Sequence, residues 1–256
     1  MQKIDYIQGE KFIELANNFN IYYCKTELVN RFFYEMKINY DFVLISHNSD
    51  GKIQNHNSQF GANINNIPPN LIKWFGQNVC VIHDKVESIP IGLENSQWFP
   101  EINKIDKMKQ IIKTEKNHKN LLYINHNINT NPNERQMPYD LFKYSNFVDL
   151  DYGINGSGFD GYLNNIYNHK FVLSPEGNGT DTHRLWECLY LNTIPIEKRN
   201  INNQFYIDLP ICFIDDWSEI TEKFLESEFD RITSKSWNLE KLDFNYWKNK
   251  ITSCCL

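Results

Sequence analysis

The chain of 256 residues carries 26 Lys and Arg against 32 Asp and Glu, a formal net charge of -6, with 41% hydrophobic and 14% aromatic residues. This composition excludes a disordered tail and supplies enough apolar side chains to close the core of one large domain or two small ones. Net acidity argues against a general nucleic-acid binder, whose affinity would rest on many cations meeting phosphates, so an anionic ligand needs a local site.

The first ten residues lack the basic stretch, apolar run and small-residue cleavage site of a secretory signal, and later apolar runs are too short to span a bilayer. The chain therefore reads as cytoplasmic, at most peripheral to a membrane. Six cysteines (Cys24, Cys80, Cys188, Cys212, Cys254, Cys255) show neither disulfide-framework density nor Cys-x-x-Cys spacing. They are expected as reduced, mostly buried thiols, with Cys254–Cys255 an exposed tail pair.

Apolar runs then alternate with polar loops. Phe19–Cys24 predicts a strand, Glu27–Met36 a helix, and Asp41–Ser46 a short uninterrupted strand buried on both faces. His47-Asn-Ser-Asp-Gly51 follows at once, a polar cluster where open α/β sheets place their ligands. Leu71–Phe75 is expected as helix, Val79–Ile82 as strand, and Ser88–Gly92 as a loop marked by Pro and Gly. The charged stretch Glu101–Lys119 reads as helical and contains the expected domain boundary, giving domains 1–112 and 113–256. A second series opens with the strand Leu121–Ile124 and the polar loop Asn125–Arg135. Lys170–Ser174 is a further strand, Pro175–Thr180 its loop, and Asp181–Leu191 a helix with Asp181 or Thr182 as N-cap. Thr193–Ile196 and Ile211–Ile214 complete the strands, and Trp217–Leu256 reads as mainly helical. Strands alternating with helices predict an α/β fold with parallel sheets.

Arg184 opens the helix after the glycine loop, where free backbone N–H groups attract anions and a guanidinium adds a bidentate donor. Glu187, three residues on, shares its helical face. One side chain is suited to a diphosphate, the other to ribose hydroxyls. Neither a Gly-x-Gly-x-x-Gly fingerprint nor a Walker loop is present, and no Gly-x-Ser-x-Gly elbow supports a serine hydrolase.

Ser174-Pro-Glu-Gly177, Arg184-Leu-Trp-Glu187 and Thr193-Ile-Pro-Ile196 together resemble the donor-binding half of exostosin-type glycosyltransferases. They are also similar to the matching segment of α-1,3-fucosyltransferases, with Asn192 where glycine is usual and Arg184 near the position of a family lysine. The resemblance covers roughly Leu121 to Ile214. It implies the GT-B architecture, two small Rossmann-like domains facing across a cleft, with a helical C-terminus. It further implies an inverting, metal-independent transfer of a sugar from a nucleotide diphosphate sugar to a carbohydrate hydroxyl, without a cofactor. Its donor pocket would comprise Arg135, Glu176, Gly177, Asn178, Gly179, Thr180, Asp181, His183, Arg184 and Glu187, with Arg135 and Arg184 on the diphosphate and Glu187 on the ribose. Deprotonating the acceptor calls for a general base, for which Asp50 and His47 are the first candidates and Glu94 the next.

Two alternatives stay open. Asp149-Leu-Asp151 has the Asp-x-Asp form in which hard oxygen ligands hold a divalent cation on donor phosphates. A carbohydrate- or nucleotide-binding module without turnover would share the same fold. Two sequons, Asn155–Ser157 and Asn178–Thr180, are also present; a glycan on the second would block the expected pocket.

Overall fold

The computed structural model describes residues 4–16, 20–98, 103–118, 120–151 and 153–255, with backbone alone for 153–157. Of the expectations above, Phe19, Glu101, Lys119, Leu256 and the side chains of the Asn155 sequon fall outside these descriptions. The chain is α/β, with eight α-helices and three parallel sheets among the described residues.

The first large sheet has strands β1 (Ile21–Cys24), β2 (Phe42–Ser46), β5 (Leu71–Gly76) and β6 (Val86–Ser88) in the order β1-β2-β5-β6, all parallel. Every residue of β2 is buried, as its unbroken apolar run requires of a central parallel strand. A two-stranded parallel pair, β3 (Ile53–Gln54) and β4 (Ala62–Asn63), lies between β2 and β5 in the chain. Two short helices precede this sheet's centre: α1 (Gly9–Leu15) and α2 (Val29–Glu35).

The second large sheet contains β7 (Leu122–Ile124), β8 (Val148–Leu150), β9 (Phe171–Leu173), β10 (Ile194–Lys198) and β11 (Cys212–Ile214), ordered β11-β10-β9-β7-β8 and again parallel. Read from the other edge this is 2-1-3-4-5 in chain order, a doubly wound arrangement whose direction of winding reverses between β7 and β9. Helix α3 (Lys104–Ile111) joins the two sheets; α4 (Pro132–Phe142), α5 (Gly153–Tyr167) and α6 (His183–Tyr190) follow strands of the second, and α7 (Glu222–Thr233) and α8 (Phe244–Ser253) close the chain. Gly158, at φ 67°, breaks α5 into two helical pieces.

Several elements differ from expectation. Leu71–Phe75 is strand β5, not helix, because it is sandwiched between β2 and β6 with Trp74 and Phe75 fully buried; five apolar residues are too few to reveal a 3.6-residue period. Val79–Ile82 is not a strand. Asn78 turns the chain at φ 59°, Val79 forms one isolated bridge to Ile53, and the edge strand is Val86–Ser88 instead. Asn125–Arg135 is not all loop: Ile128–Thr130 is a 3-10 turn and α4 begins at Pro132, whose fixed φ suits the first helical position. Thr182, not Asp181, caps α6, its hydroxyl accepting from the Leu185 N–H. All six cysteines are free thiols, but only Cys188 and Cys212 are fully buried, while Cys254 and Cys255 are half-buried against the core and not exposed.

The largest apolar cluster runs beneath both large sheets. It joins Ile45 and Phe75 from the first to Tyr123 and Val172 from the second, and takes in Leu185 and Leu189 of α6 with Trp247 and Ile251 of α8. The C-terminal helix thus returns to the first half, where Phe244 packs edge-on against Phe12 and the Phe244 N–H donates to the Asp5 carbonyl at 2.8 Å. No helix among the described residues is long and apolar enough to cross a membrane.

Candidate functional site

The carboxyl ends of both sheets open onto one cavity of about 1310 Å³. From the first sheet it receives Tyr23 of β1, Asn48, Ser49 and Asp50 after β2, and Gln77 after β5; from the second, Ile124, Asn125 and His126 at β7, Asp151 after β8, and the loop after β9. The strand ends of a doubly wound sheet leave a crevice where winding reverses, and the cavity covers that reversal between β7 and β9.

Two guanidiniums stand at this end. Arg135, on the first turns of α4, is 7% exposed; its Nε donates to the Glu176 carbonyl and its Nη1 to the Asn127 carbonyl, both at 2.9 Å. These bonds aim the fork at the glycine loop, where a Cβ on Gly177 would lie 3.1 Å from Nη2. Burial, then the charge of Arg184, lowers the Arg135 pKa to about 10. Arg184 donates from Nη2 to the Asn125 carbonyl, and its Nε is buried without a hydrogen-bond partner. Neither arginine is ion-paired with a carboxylate among the described residues. Two cations near one another, neither ion-paired with a carboxylate of the described residues, form a site that a bound anion stabilises.

The glycine loop is held from the first half. Asp181 is buried at 4% exposure; its carboxylate accepts from the Ile91 N–H at 2.7 Å and from the Trp186 indole N–H at 2.9 Å, and its own N–H donates to Asn78 Oδ1 at 2.8 Å. Burial raises its pKa to about 7. Gly179 is packed so tightly that a Cβ there would meet Asn78 Nδ2 at 2.7 Å. Asn178 is exposed and lines the cavity, as do Gly177, Gly179 and Asp181. Thr180 and Glu176 do not: Thr180 Oγ1 lies 3.4 Å from Cys80 Sγ, and the Glu176 carboxylate faces Lys52 at 3.4 Å and Asn200 at 3.2 Å. Burial raises the Glu176 pKa.

Glu187 lines the cavity but is already engaged. Lys104 Nζ contacts it at 2.7 Å and the Tyr162 hydroxyl donates to it at 2.5 Å. Burial opposes its ionisation, yet the Lys104 charge and these two hydrogen bonds hold its pKa below the ordinary range. The ribose role expected of it would have to share those partners.

Facing the arginines are the groups of the first sheet. Asp50 is exposed on the cavity wall and makes no hydrogen bond or ion pair with the described residues. Glu94 places one carboxylate oxygen 3.2 Å from His183 Nε2, while His183 Nδ1 donates to the Gly92 carbonyl at 2.8 Å. Both line the cavity, so the structure brings His183 of α6 and Glu94 together across it. His47 is kept apart. It is 1% exposed, its Nδ1 accepts from the Asn48 N–H at 2.8 Å, and its Nε2 donates to the Pro90 carbonyl at 2.9 Å. Burial lowers its pKa to about 4. That ring is fixed as one neutral tautomer beneath the Asn48 turn.

Asp149 and Asp151 lie at the end of β8. The first contacts His169 Nε2 at 2.9 Å and accepts from Asn120 Nδ2 at 3.1 Å; the second accepts from the Tyr123 hydroxyl at 3.2 Å. No group of three or more His, Cys, Asp or Glu suited to a metal occurs among the described residues.

Sequence reasoning missed His126, Lys104, Tyr162 and the exposed Trp98, all on the cavity wall. His126 had a usable signal, since it stands just past a strand's carboxyl end as His47 does. Lys104 and Tyr162 sit on helices whose register with α6 leaves no local trace. No family model matches the chain, and no curated protein matches it either.

Proposed function

We propose that the protein is an inverting, metal-independent glycosyltransferase of GT-B type, moving a sugar from a nucleotide diphosphate sugar to a carbohydrate hydroxyl. The observation that carries this reading is the unneutralised pair Arg135 and Arg184 at the winding reversal, facing carboxylates of the other sheet across one cavity. The donor diphosphate lies on the two guanidiniums, which meet the charge that grows as the sugar–phosphate bond breaks. The acceptor oxygen attacks the anomeric carbon from the opposite side, and its proton passes to a carboxylate of the first half. Glu94 suits that step best, because His183 holds one of its oxygens in place and leaves the other for the acceptor. Asp50, untethered on the wall, stands second.

The reading is tested by binding and transfer assays with UDP-, GDP- and CMP-sugars, with and without EDTA. Turnover that survives EDTA is expected. Absence of turnover with all of them would refute an enzyme, and binding without turnover would leave a non-catalytic nucleotide- or carbohydrate-binding module. Full dependence on Mn²⁺ would transfer the donor phosphates to Asp149 and Asp151.

A further inference from the structure

His126 is the second residue past β7, 7% exposed and on the cavity wall. Its Nε2 lies 2.9 Å from the Arg135 carbonyl oxygen. A carbonyl only accepts, so Nε2 carries a proton and the neutral ring has its lone pair on Nδ1. That Nδ1 is buried and has no hydrogen-bond partner. The Nε of Arg184, whose charge acts on this ring, is likewise buried without a hydrogen-bond partner. Buried polar atoms are rarely left unpaired, and two on one cavity wall point to a ligand that would pair with both.

We infer that His126 completes the anion site and takes up a proton as a diphosphate binds, its Nδ1–H then donating to a phosphate oxygen. The inference rests on the diphosphate reading above and adds to it the third residue and the proton.

The charged groups around the ring account for the uptake. Burial, Arg184 from α6 and Arg135 from α4 push its pKa down to about 4, so the ring is neutral near pH 7. Asp151, after β8, lines the same cavity but accepts from Tyr123, and the Glu176 carboxylate turns to Lys52 and Asn200. A bound diphosphate offsets the two cations and removes their repulsion of a proton at Nδ1. An unprotonated Nδ1 would set a lone pair against phosphate oxygens, whereas the imidazolium donates to them.

The test is calorimetric titration with inorganic pyrophosphate, UDP and GDP near pH 7, repeated in buffers of different ionisation enthalpy. Wild type is expected to take up about one proton more than His126→Gln, and to bind about tenfold or more tightly. Glutamine retains an N–H for the Arg135 carbonyl, and subtracting the variant removes the ligand's own ionisation. Ring ¹⁵N shifts of wild-type His126 give a second readout, moving to the doubly protonated pattern on addition of pyrophosphate. Equal proton uptake in the two proteins, an unchanged ring shift, or no binding of any of the three anions overturns the inference. Pyrophosphate binding with the extra proton but no sugar transfer would overturn the glycosyltransferase reading alone; transfer without the extra proton would overturn this one alone.

Discussion

Asp181 offers a prediction whose size follows from its surroundings. Its carboxyl ionises near 3.8 in an unfolded chain and near 7 in the folded protein, because burial outweighs the N–H groups of Ile91 and Trp186 that favour the anion. A raised folded-state value means that the contribution of this group to stability is fully present below about pH 3.8 and is lost as pH rises to about 7. Each pKa unit corresponds to about 1.4 kcal/mol, so the loss across that window is about 4 kcal/mol. Asp181→Asn cannot ionise. It also loses one acceptor for two buried donors, a pH-independent cost of about 1–3 kcal/mol. Urea midpoints for both proteins from pH 4 to 8 should therefore cross as pH rises: wild type, the more stable at pH 4, loses about 4 kcal/mol relative to the variant by about pH 7, ends the less stable of the two, and loses nothing further above it. Other titrating groups act on both proteins and cancel in the difference. Parallel profiles would show that Asp181 ionises normally and would refute the argument that burial dominates its environment.

Two further predictions concern the cavity. Gly179→Ala drives a methyl group into Asn78, whose amide donates to the Ser49 carbonyl and accepts from the Asp181 N–H; a destabilisation of about 1–3 kcal/mol, read as a fall in Tm of several degrees, is expected. Glu94→Gln should lower kcat by about 10²–10⁴-fold while leaving nucleoside diphosphate affinity unchanged, and Asp50→Asn should cost far less. The reverse ranking in single-turnover measurements would move the base to Asp50.

How much was legible in the sequence depended on how local the cause was. Strand β2 showed itself because all five of its residues are buried, and α6 because a glycine loop, a Thr cap and an amphipathic run follow in succession. Leu71–Gly76 failed because a short apolar run is consistent with a buried strand or helix until its neighbours are known. Arg135 lines the cavity, but from an element other than the expected loop: Pro132 starts α4, which carries it, and backbone carbonyls direct its fork. Long-range partners were invisible. Lys104 neutralises Glu187 across 83 residues, and Asn78 holds the Asp181 N–H across 103. Neither side chain has a sequence context that distinguishes it from an ordinary surface Lys or turn Asn.

The net charge of -6 and the pair of arginines on the cavity wall are compatible because these arginines are held by carbonyl oxygens instead of carboxylates. A carboxylate partner would have neutralised the site and competed with an incoming phosphate; a carbonyl orients the guanidinium and leaves its charge unspent. The spacing between this charge and the opposing carboxylates is set by contacts that join the two halves of the chain. Asn202 accepts from the Val79 N–H at 2.9 Å and the Ser88 hydroxyl at 2.8 Å, and the hydroxyl of Tyr206, a member of the apolar cluster shared by both sheets, meets Ser88 at 2.9 Å. Closer to the mouth, Ile91 and Gly92 are tied to Asp181 and His183, so Glu94 and Arg184 are positioned by one continuous set of contacts. On the proposed reading, base and anion site are thereby set at a constant separation before either substrate arrives, and reorganisation on binding is confined to protons and rim side chains such as Asp50 and Trp98.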